Sequence, residues 1–82
     1  MNGFSAIINT SLSQASHVRL RVFDVLGRQV AILVDEVEEL GYRKVSFDAS
    51  TLASGAYYYH LGARSVSTGE VFSDVKKMMV LK

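Results

Sequence analysis

The chain has 82 residues, enough for one hydrophobic core and too few for two, so it reads as one small domain spanning 1–82. Hydrophobic residues make up 49% and charged residues 21%, which excludes an intrinsically disordered chain. Nine Lys and Arg against eight Asp and Glu leave a net charge of +1, without the basic excess of a nucleic-acid binder, and the absence of cysteine excludes disulfides and thiolate metal sites.

Ala6 to Leu12 reads as a first strand. Val18, Leu20 and Val22 then alternate with Arg19 and Arg21, the period of two that places apolar side chains on one face of a half-buried strand. Asp24-Val25-Leu26-Gly27-Arg28 follows, with a glycine available for positive φ, so the next run, Gln29 to about Val37, is expected to return as a hairpin partner. Val30, Leu33, Val34, Val37 and Leu40 also fit helical spacing. The β-branched Val30, Ile32 and Val34 directly after a hairpin turn favour a strand, and apolar residues on both its faces point to one covered on both sides.

Gly41 ends that segment. Val45 and Phe47 alternate with Lys44, Ser46 and Asp48 in another strand, and Asp48 to Gly55 is a loop whose one large apolar residue, Leu52, is expected to plug inward. Tyr57, Tyr59 and Leu61 share one strand face and Tyr58 the other, which favours packing over an aromatic ligand platform. Ser65 to Gly69 is a polar turn, and Glu70 to Leu81 supplies the last strand. The result is an all-β, immunoglobulin-like or fibronectin-III-like antiparallel sandwich of about seven strands, with no need for a helix. The longest apolar run, Val30 to Val34, falls far short of the roughly 20 residues of a membrane-spanning helix.

Five blocks in order make the pattern more specific: His17-Val-Arg-Leu-Arg-Val-Phe-Asp24, Val25-Leu-Gly-Arg28, Phe47-Asp-Ala-Ser50, Ala53-Ser-Gly-Ala-Tyr-Tyr-Tyr59 and Lys77-Met-Met-Val-Leu-Lys82. From about Phe4 to Lys82 the chain resembles the C-terminal sorting domain of bacterial type IX secretion, whose fold is close to the Ig-like domain of flagellar hook-capping proteins. It departs from that pattern at Phe4 and Ser13, where prolines are common, and at Thr51, where glycine is common. The resemblance implies a non-catalytic address at the C-terminal end of a longer secreted protein. Such a domain directs N-terminal cargo through the periplasm and across the outer membrane to the cell surface or medium. It implies the type IX translocon and a sortase-like protease as partners, and no cofactor. A purely structural Ig-like spacer is the rival reading.

The recognition candidates are Gly27, Arg28, Gly55, Lys77, Met78, Val80 and Lys82. For Gly27 and Arg28 the simpler reading is a turn glycine and an Arg28–Asp24 pair. Lys77 and Lys82 bracket the last segment, either read by a receptor or guarding an edge strand. Met78 and Val80 are expected to face the core. His17 and His60, with Asp24, Asp35 and Asp48, are the only material for acid–base or metal chemistry; both histidines fall among surface residues without ligand spacing, and no phosphate loop or nucleophile motif is present. Arg19, Arg21, Arg43 and Lys44 suggest a basic strip across neighbouring strands, which a solvated sheet face explains without nucleic acid.

Overall fold

Residues 5–81 are described by a computed structural model, all-β, in six antiparallel strands: β1 (Ser5–Leu12), β2 (Ser16–Asp24), β3 (Gln29–Glu38), β4 (Gly41–Asp48), β5 (Gly55–Ser65) and β6 (Val71–Val80). They form a four-stranded sheet in the order β3-β2-β5-β6 and a two-stranded sheet, β1-β4. In immunoglobulin terms β3-β2-β5-β6 occupy the C′-C-F-G positions and β1-β4 the B-E positions. The count is therefore six rather than about seven, because the A and D positions that would flank β1 and β4 are unfilled among the described residues.

The alternation in β2 decides where the core lies. Val18, Leu20 and Val22 are 2%, 0% and 0% exposed, and they pack between the sheets against Ile8 and Leu12 of β1, Phe47 of β4, and Tyr57, Leu61 and Ala63 of β5. The segment 29–38 is a strand and not a helix, since its apolar residues find a hairpin partner in β2, with Leu20 opposite Val34. One expectation is corrected here: β3 is an edge strand covered on one face only. Leu33 and Val34 pack inward, while Ile32 and Val37 are 51% and 62% exposed on the side that no layer among the described residues covers. Two register shifts against β2 add twist to this edge. Leu52 plugs the end of the core near Phe47 and Tyr57 as its sequence context implies.

Candidate recognition site

Local chemistry dictates the β2–β3 turn. Asp24 Oδ1 accepts the backbone N–H groups of Leu26 and Arg28, each at 2.9 Å, and Oδ2 accepts the Arg28 Nε–H at 2.8 Å. The Gly27 N–H donates to the Asp24 carbonyl at 3.0 Å, and Gly27 sits at φ +83°, a region that side chains with a Cβ rarely adopt. Arg28 therefore points one edge of its guanidinium at Asp24 while the side chain stays 73% exposed.

These donors hold the Asp24 carboxyl below the usual aspartate range, the Arg28 backbone N–H first, with the Arg28 side chain and the Leu26 N–H adding to it and partial burial working against it. A carboxyl more acidic in the folded than in the unfolded chain contributes its full stability above the ordinary aspartate value of about 3.9 and loses it as pH falls through the folded value. Asp24→Asn is accordingly expected to lower stability at neutral pH and to show a smaller loss than the parent between pH 5 and pH 2. Urea melts at the two pH values measure this. An identical acid loss in both proteins would show that the turn does not stabilise the ionised carboxylate.

The strand register then gathers residues far apart in sequence. Asp24 lies opposite Tyr57, Tyr57 opposite Met78, and Gly55 opposite Val80, so the turn, the start of β5 and the end of β6 share one end of the four-stranded sheet. Val80 is 5% exposed against Val22, Phe47 and Tyr57, and Met78 is half-buried beside them. Both face inward, as the alternation requires, although Met78 is less enclosed than Val80. Gly55 enters β5 at φ +150°, and the Tyr57 hydroxyl donates to the Ala53 carbonyl at 2.8 Å, tying the loop before β5 to the strand. Lys77 is exposed on the outer face opposite Tyr58. Lys82 lies outside the described residues.

On that outer face a shallow groove of about 400 Å³ runs beside the turn, lined by Arg21, Phe23, Asp24, Gly27, Tyr58 and His60 among others. Arg21 stacks over Phe23 with 5.3 Å to the ring centroid and donates to His60 Nδ1 at 3.1 Å, so His60 is half-buried and engaged rather than a plain surface residue. Sequence reasoning did not single out Phe23, Tyr58 and His60 as a group, because each is the polar-side member of its own alternating strand; only the pairing of Arg21 with His60 and Phe23 with Tyr58 reveals the cluster. His17 instead pairs with Asp35 at 2.9 Å toward the far end of β2.

The basic strip does not form as expected. Arg19 and Arg21 belong to the four-stranded sheet and Arg43 and Lys44 to the two-stranded one, and Arg43 is tied down by Glu38 at 3.1 Å and by the Glu39 carbonyl at 2.8 Å. Among the described residues no group of three or more His, Cys, Asp or Glu is placed to hold a metal ion.

No curated protein and no solved structure matches the chain. A family model, that of the secretion system C-terminal sorting domain, matches residues 2–79, which takes in β1 to β5 and all of β6 but its last residue, Val80. The chain belongs to the family of type IX secretion C-terminal sorting domains, which marks proteins for export across the outer membrane to the cell surface or medium.

Proposed function

We propose that the end of the sandwich formed by the Asp24–Arg28 turn, Gly55 and the Lys77–Val80 segment is the address that the type IX translocon reads on a cargo polypeptide fused ahead of it. In this reading 1–82 is a single non-catalytic domain at the C-terminal end of a longer secreted protein, and a sortase-like protease removes it after passage. The observation that carries the proposal is the register: one row, Asp24, Tyr57, Met78, joins three of the sequence blocks that define the family resemblance. Within that end, Gly27, Gly55, Met78 and Val80 fix the shape, whereas Arg28 and Lys77 present exposed charge. Lys82 is the further basic group of the last segment.

A reporter fused before Met1 in a type IX-competent host tests this. The parent fusion is expected at the surface or in the medium. Lys77→Ala combined with Lys82→Ala changes only charged side chains and should alter stability by no more than about 0.5 kcal/mol at Lys77, so the sandwich survives it. That well-folded double variant is expected to accumulate in the periplasm. A parent fusion that stays periplasmic would return the domain to the role of a structural spacer, and equal export of both fusions would move the address to another surface.

A further inference from the structure

Register lays out the outer face of the four-stranded sheet in rows. Across β2, β5 and β6, Phe23 stands beside Tyr58 and Tyr58 beside Lys77; in the next row Arg21 stands beside His60 and His60 beside Val75. All of these but Lys77 line the groove beside the turn. Its apolar walls are open to solvent, with Tyr58 and Val75 37% and 58% exposed.

Charge on this face is unbalanced. Asp24 is held by Arg28, and Asp35, farther along, by His17 and Arg19. Arg21 and Lys77 have no carboxylate within ion-pairing distance among the described residues. The rest of the sequence offers none either, since Met1-Asn2-Gly3-Phe4 and Lys82 carry no acidic side chain. Arg21 is also fixed in place, with its guanidinium over the Phe23 ring and Nη2 donating to His60 Nδ1. A planar cation held this way loses little freedom when it meets an anion. Its Nε is shut off from solvent, so the contact falls to the terminal nitrogens.

We infer that this groove binds a carboxylate carried beside an apolar group, supplied by an extended acidic segment of polypeptide from outside the 82 residues. The carboxylate meets Arg21, the apolar side chain packs on Tyr58 and Val75, and Lys77 adds a weaker, screened attraction from the far side of Tyr58. Spacing favours a peptide as the carrier. Arg21 and Tyr58 are diagonal neighbours on paired strands, about 7–8 Å apart. Alternate side chains on one face of an extended chain lie about 7 Å apart, so an acidic residue and an apolar one two positions away reach both. A phosphate dianion fits less well, because apolar walls would desolvate it with one guanidinium to repay the cost. The inference does not depend on which surface the translocon reads, and it is measured on the isolated chain, so a failed export assay leaves it standing.

The probe is the capped peptide Gly-Phe-Ala-Glu-Ala-Phe-Gly, titrated into the isotopically labelled 82-residue chain and followed by NMR, with a second peptide in which Gln replaces Glu. Shifts are expected at Arg21, Tyr58, His60, Val75 and Lys77, and the Glu peptide is expected to bind about fivefold tighter than the Gln peptide. Arg21→Gln should remove that difference, so that the two peptides bind alike. Lys77→Gln, a change at an exposed side chain, should leave the melting temperature within a few degrees and reduce the difference only in part. Because the Glu–Gln comparison is made on the parent chain, it decides the matter even where Arg21→Gln fails to fold. The inference is overturned if neither peptide binds at millimolar concentration, if both bind the parent equally, or if the shifts fall on another face. Inorganic phosphate or 3-phenylpropionate displacing the Glu peptide at equal concentration would also overturn it, as would self-association of the chain through this face that Asp74→Asn abolishes.

Discussion

Leu20→Ala is expected to cost about 2–5 kcal/mol. Leu20 is 0% exposed at the centre of β2, a strand hydrogen-bonded on both sides, to β3 and β5. Its side chain belongs to the cluster that joins Ile8 and Leu12 of the small sheet to Leu61 and Ala63 of the large one. Among the described residues the opposing layer has two strands, so few neighbours there are placed to collapse into the space left behind. A domain of this size has a total stability of roughly 4–12 kcal/mol, so the loss removes much of the folded state and should lower the melting temperature by roughly 10 °C or more. Leu26→Ala is the control: Leu26 is 74% exposed at the turn and should move the midpoint hardly at all. Thermal melts of the pair give the answer, and equal midpoints would place the core elsewhere than between these two sheets.

Gly27→Val is the second large effect. The β2–β3 turn holds residue 27 at φ +83°, and a β-branched side chain resists that region. A Cβ built on Gly27 would meet nothing within 4 Å, so the cost is backbone strain and not a clash. About 1–3 kcal/mol is expected. Gly27→Asn separates the two explanations, because asparagine tolerates left-handed backbone far better than valine. The Asn variant should therefore retain most of the stability that the Val variant loses in denaturant melts; two variants equally impaired would instead implicate crowding or a lost contact.

The same contrast explains why truncating Met78 should cost less than the full burial of a methionine would suggest. Its inward direction follows from the alternation, but it lies near the rim and is only half-buried, whereas Val80 two residues on is enclosed by Val22, Phe47 and Tyr57.

Sequence by itself determined the strand segments, their inward faces and the turn chemistry. The period of two in β2 and β5 fixes which side chains are buried, since a slip of one residue would send Leu20 or Leu61 into water. Asp24 four residues before Arg28, with a glycine between, encodes the turn because all its bonds are local. The five blocks in order were enough to point to the family, since they mark the turn and strand positions that the fold repeats.

Only the tertiary structure decided what depends on which strands become neighbours. Alternation is blind to sheet assignment, so Arg19, Arg21, Arg43 and Lys44 looked like one strip and fell into two sheets. The apolar residues on both faces of β3 implied a covered strand, yet its outer face is open because no layer among the described residues lies there. The cluster of Arg21 with Phe23 and His60 and the exposure of Phe72 on an inward face both arise from pairings between distant segments. A short-range pattern specifies a strand's two faces, but the number of strands in the opposing layer decides which of those faces is finally buried.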